Sequence, residues 1–111
     1  MQLTEQDNGR TIEIKTGEQL IVVLKENPST GFLWQVDAVD PAILRAGESG
    51  FTPKVTKIGS AGFRRFPFDA ISPGAVAIRA KLWRSWEGDA STTERFEIAV
   101  TVADPLPSPP I

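Results

Sequence analysis

The sequence predicts an all-β protein, an immunoglobulin-like antiparallel β-sandwich of about seven strands, on three observations. Apolar and polar residues alternate with period two in several separate stretches. Gly, Pro, Asn, Asp and Ser punctuate those stretches at short intervals, as hairpin and Greek-key connections require. No segment repeats its apolar residues at helical spacing, and no internal repeat competes with the sandwich reading. A chain of 111 residues suffices for one core and is short for two. One domain is expected over residues 1–103, followed by a Pro-rich extended or disordered tail over 104–111.

The strands, lettered A to G, follow in order. Thr11–Lys15 (A) turns Ile12 and Ile14 to one face and its polar residues to the other. Gln19–Glu26 (B) is apolar on both faces through Leu20-Ile21-Val22-Val23-Leu24, as a central strand would be. Phe32–Asp37 (C) places Phe32, Trp34 and Val36 on one side before Asp40-Pro41 breaks the pattern. From Ala42 to Ile58 the chain is irregular, interrupted by Gly47, Gly50 and Pro53, and Lys54–Ile58 (D) is its clearest strand. Phe63–Ile71 (E) contains Pro67, which argues for a sheet edge because proline has no N–H to give a ladder. Ala75–Trp83 (F) and Glu94–Val102 (G) alternate cleanly. The predicted core is Ile12, Ile14, Leu20, Val22, Leu24, Trp34, Val36, Val76, Ile78, Leu82, Phe96, Ile98 and Val100.

Composition narrows the function. The formal charge is −2 and no basic stripe occurs, so nucleic acid is not an expected partner. No run of 18 apolar residues exists, and no charged start precedes an apolar segment, so neither a membrane span nor a signal peptide is predicted. A leader removed on export would leave no trace, and a periplasmic or secreted location stays open. With no Cys and no His, the chain lacks disulfides, thiol nucleophiles, imidazole bases and the usual zinc, copper and haem ligands. A non-enzyme that needs no metal or cofactor is expected.

In a sandwich of this kind alternate connections emerge at one end. BC, DE and FG then lie together. BC is Asn27-Pro28-Ser29-Thr30-Gly31, an interruption of five turn-prone residues between two strands, with Phe32 following it. DE is Gly59-Ser60-Ala61-Gly62, small enough for a tight turn and for close approach of a partner. FG carries Trp83-Arg84-Ser85-Trp86, and Trp and Arg are the residues most enriched at binding hot spots. Each piece alone has a plainer explanation. Asn-Pro-x-x-Gly is common turn chemistry, Gly-Ser-Ala-Gly an ordinary hairpin connection, Trp83 a cover for a sheet face, Arg84 a solvated cation, and Trp34 a core residue. Their conjunction at one end is what favours a recognition surface.

In this order and spacing the three loops resemble the chagasin-like inhibitors of papain-family cysteine peptidases, which carry Asn-Pro-Thr-Thr-Gly, Gly-x-Gly-Gly and Arg-Pro-Trp motifs on BC, DE and FG loops. Asn27, Pro28, Thr30 and Gly31 match the first motif, with Ser29 in place of Thr. Gly59 and Gly62 match the second, with Ser60 at its variable position and Ala61 where Gly is usual. Arg84 and Trp86 match the third, with Ser85 for Pro. The resemblance implies a monomeric, reversible, tight-binding inhibitor of a papain-like cysteine peptidase. It places the BC loop at the catalytic centre, with Thr30 near the enzyme's Cys and His. DE and FG would straddle the cleft, and Arg84 and Trp86 would anchor on the peptidase surface. The rival from the residues alone is a β-sandwich module that binds carbohydrate or another surface ligand by stacking on Trp83 and Trp86. An adhesion or matrix module is a third reading.

Overall fold

The computed structural model describes residues 1–53 and 62–104. Predicted strand D, Gly59, Ser60 and Ala61 of the DE loop, and the tail from Pro105 lie outside the described residues. Nine strands are described: β1 (Gln2–Thr4), β2 (Thr11–Lys15), β3 (Gln19–Glu26), β4 (Leu33–Val36), β5 (Leu44–Ala46), β6 (Gly50–Pro53), β7 (Gly62–Ala70), β8 (Gly74–Trp83) and β9 (Glu94–Ala103). Short 3-10 turns interrupt the loops, and there is no α-helix among the described residues. One sheet runs β1-β3-β7-β5 with β6 also on β7, and the other runs β2-β9-β8-β4.

The fold is the β-sandwich that the alternation predicts, with strands A, B, E, F and G appearing as β2, β3, β7, β8 and β9. Strand C shortens to β4, because Phe32 belongs to the loop. Three details differ. The sheets are mixed: β1 pairs with β3, and β2 with β9, in parallel. The irregular 42–53 region contributes β5 and β6, two short strands that flank its breaks. And β7 is central, although it contains Pro67. On one side Pro67 lies opposite Ile21 of β3; on the other, β5 pairs up to Phe68 and β6 begins pairing at Arg65. Gly47 N–H donates to the Pro67 carbonyl at 2.9 Å. The proline nitrogen faces that same side, in the interval between two short partners, where no ladder bond requires its missing proton.

The facing sides of the two sheets bury Ile12, Ile14, Leu20, Val22, Leu24, Trp34, Ile78, Phe96, Ile98 and Val100. Val36, Val76 and Leu82 pack at the margin of that core and are only partly buried. Leu3, Leu44 and Phe68 join it from β1, β5 and β7.

Candidate functional site

Three connections leave one end of the sandwich. There β3 ends at Glu26, which lies opposite Gly62 at the start of β7; Gly62 in turn lies opposite Pro53 at the end of β6. In the other sheet, β4 begins opposite Trp83 at the end of β8, and β9 begins opposite Leu82. The ends of the BC, DE and FG loops are thus brought together.

The BC loop is braced by its own side chains. Asn27 Oδ1 accepts from the Ser29 N–H at 3.1 Å and from the Ser29 hydroxyl at 2.6 Å, an Asx-type cap on the turn Pro28–Thr30. Pro28 stands in the first turn, where its fixed φ suits the geometry and its missing N–H costs nothing. The Thr30 hydroxyl donates to the Asn27 carbonyl at 2.8 Å and accepts from the Phe32 N–H at 3.3 Å. Gly31 ends the turn with φ +83°, in the left-handed region that favours glycine. Five consecutive residues therefore hold one shape, with Pro28, Ser29 and Thr30 exposed.

The FG loop closes onto this turn. Arg84 donates from Nε and Nη2 to the Thr30 carbonyl at 3.2 and 2.9 Å, and from Nη1 to Glu87 at 3.0 Å. Its guanidinium lies 4.4 Å from the centre of the Phe32 ring. Trp86 is 70% exposed, yet a Cβ placed on Gly31 would lie 2.8 Å from its Cη2, so the ring edge rests against the glycine. A notch of about 230 Å³ opens beside it, lined by Gly31, Leu33, Trp83 and Trp86. A larger hollow of about 560 Å³ sits apart on the flank, among Glu5, Lys25, Glu94 and Arg95.

Below Trp86, the outer face of β8 pins the rest of FG. Lys81 Nζ lies 3.7 Å from the centre of the Trp83 ring and donates to Asp89 Oδ1 at 2.6 Å. The hydrogen bond from Lys81, then its charge, holds the Asp89 carboxyl below the usual carboxylate range. Ser91 satisfies the turn from within, accepting from the Arg84 N–H and donating toward the Arg84 and Gly88 carbonyls.

Two residues that the sequence reading did not single out lie beneath the loops. Glu26 is 2% exposed. Its Oε1 accepts a fork from Arg64, Nε at 3.0 Å and Nη2 at 2.7 Å, and its Oε2 accepts the Trp34 N–H at 2.8 Å. The Trp34 indole donates to the Lys25 carbonyl at 2.8 Å. Arg64 also lies over the Phe51 ring, 5.3 Å from its centre. Gly62 is small for the sake of this packing: a Cβ there would collide with the Thr52 carbonyl and with Phe51 Cζ. The sequence carried a signal for the burial of Glu26 alone, which continues the inward register Leu20, Val22, Leu24, and none for its partner.

Of the predicted site residues, Asn27 through Phe32, Gly62, and Arg84 through Trp86 are brought to this end. In the free chain the Arg84 donors point inward, to Thr30 and Glu87 of the same chain. Among the described residues no group of three or more acidic side chains is placed to hold a metal ion. What the site offers is a shaped, solvent-facing wedge of turn and tryptophan.

Residues 13–100 match the family model described as Chagasin family peptidase inhibitor I42. Chagasin from Trypanosoma cruzi is 26% identical over 101 residues, covering 86% of this chain and 92% of that protein. A crystal structure of the cysteine protease inhibitor EhICP2 from Entamoeba histolytica superposes with a TM-score of 0.85 at 19% identity, over 92% of this chain and 94% of that one. PbICP-C, solved in complex with falcipain-2, gives a TM-score of 0.68 at 18% identity, over 93% and 90%. With a family model spanning most of its length, and the motifs on BC and FG held together at one end of the sandwich, the chain belongs to the chagasin family of peptidase inhibitors.

Proposed function

We propose that this chain is a reversible, tight-binding inhibitor of papain-like cysteine peptidases that fills the active-site cleft with its BC, DE and FG loops. The proposed contact surface is Asn27, Pro28, Ser29, Thr30, Gly31 and Phe32 of BC, Gly59, Ser60, Ala61 and Gly62 of DE, and Arg84, Ser85 and Trp86 of FG. The observation that carries the reading is the joint between BC and FG. Arg84 on the Thr30 carbonyl and Trp86 on Gly31 assemble two loops into one body before any partner arrives. A preassembled wedge loses little ordering entropy on binding. An interface of standard size, about 1,600 Å², then reaches nanomolar affinity, on the order of −12 kcal/mol. The exposed apex, Pro28-Ser29-Thr30, enters toward the catalytic Cys and His, and Trp86 lies on the enzyme beside it. Arg84 serves as a brace within the wedge. Inhibition in this scheme needs no covalent step.

Relatives lend support, since EhICP2 is a cysteine protease inhibitor and PbICP-C has been solved in complex with falcipain-2. The carbohydrate reading keeps the exposed Trp86 ring, but the Lys81 ammonium lies over the Trp83 ring that would extend its platform. The test is a titration into papain with a fluorogenic peptide, run beside a glycan-binding assay. Stoichiometric loss of papain activity is the expected result; glycan binding without inhibition would replace this reading with its rival.

A further inference from the structure

We propose that Glu26 and Arg64 are positioning residues for the BC loop: their buried fork fixes where the loop's two feet stand, and so where its apex meets a peptidase. The proposal rests on the inhibitor reading for its consequence, but its geometry is independent of it. Residue 26 is the last of β3 and Trp34 lies in β4, so the loop between them joins the two sheets. No ladder links β3 to β4 across that gap. The ties are the Trp34 N–H on Glu26 Oε2 and the Trp34 indole on the Lys25 carbonyl. Glu26 would swing about its side-chain torsions if its other oxygen were free; the two-pronged bond from Arg64 prevents this. Arg64 is in turn backed by Phe51 and stands two residues into β7, just past Gly62 of the DE motif. The feet of the BC loop are thereby referred to the strand that follows the DE loop, while Arg84 holds the apex from the FG side.

A buried ion pair is a poor choice for stability alone. Taking Glu26 wholly and Arg64 largely out of water offsets much of their attraction, and well-packed apolar side chains fill such a site as well or better. Apolar side chains cannot direct three hydrogen bonds onto one carboxylate and so set the spacing of three strands. If position is what the pair supplies, its removal loosens the loop more than the core.

The test compares the native chain with Glu26→Met/Arg64→Met and with Arg64→Lys. Three readouts are taken: melting temperature, affinity for papain, and amide hydrogen exchange at Trp34 and at residues 29–32, with Ile98 as the core reference. The double variant is expected to stay folded but to melt lower, by about 5 to 15 degrees, because the buried Trp34 N–H loses its acceptor. It should exchange the Trp34 and loop amides at least about tenfold faster relative to Ile98 than the native chain does, and bind papain at least about tenfold more weakly. Arg64→Lys keeps the charge and loses the fork, and falls between the two. Native-like Trp34 and loop exchange together with native affinity in the double variant would overturn the proposal. Should that variant fail to fold, Arg64→Lys decides by the same exchange criterion, and unchanged exchange there overturns it. If the native chain does not inhibit papain, the inhibitor reading fails alone, and the exchange measurements still judge the positioning role.

Discussion

Trp86 gives most of its ring to solvent, whereas Trp34 is buried between the sheets with its indole N–H satisfied by Lys25. Truncation should therefore separate them. Trp86→Ala is expected to leave the melting temperature nearly unchanged and to weaken papain binding by about 2 kcal/mol or more, roughly thirtyfold. Trp34→Ala is expected to cost about 3 to 5 kcal/mol of stability through a core cavity. Calorimetry and inhibition assays on the two variants check both. The opposite pattern would make Trp86 a core residue. Gly31 makes a third case. Its φ of +83° and its contact with Trp86 both resist a side chain. Gly31→Ala should cost about 1 to 2 kcal/mol by urea denaturation and displace Trp86, so papain affinity should fall while the fold persists. Asn27, Pro28 and Gly31 were legible as a turn because their preferences are local. The partner of Arg84 was not, since the Thr30 carbonyl comes near only after β4 and β8 pair.

At the scale of elements, the FG loop depends on an exposed tether. The Lys81–Asp89 ion pair holds Asp89 below its ordinary value of 3.8. A depressed folded value means that the tether stabilises the loop above the unfolded carboxyl's range, and that this is lost as pH falls through the lower folded value. Acidification from neutral to pH 5 should leave the loop unchanged, and loosening should appear only below about 4. Monitoring the Lys81 Nζ and Asp89 side-chain resonances by NMR checks this, and Asp89→Asn should abolish the transition. The strands with long alternation, β2, β3, β8 and β9, were readable because each buries one face over at least five residues. The short strands β1, β5 and β6 carry too little periodicity to be read and were missed, whereas β4, also of four residues, was read through the alternation of Phe32, Trp34 and Val36. Pro67 misled for a related reason: an edge requirement at one residue was met by a gap between two short strands.

For the molecule as a whole, the core and the loop end are separable. Ile98 is fully buried, and Ile98→Ala should cost about 2 to 5 kcal/mol in denaturant titrations. Inhibition per folded molecule should stay intact. The sandwich was legible because hydrophobic alternation records which faces meet; the Glu26–Arg64 fork was not, because a charge on an inward register has no meaning until its partner strand is known. The central claim is that the loop end occupies the cleft of a papain-like enzyme. Its most direct test measures binding of the chain to papain in the presence of increasing amounts of a reversible peptidyl inhibitor that fills the active site. The account predicts strict competition at one chain per enzyme, with the apparent Kd rising in proportion to the occupant. Simultaneous binding of the chain and the peptidyl inhibitor, with affinity unchanged, would contradict it.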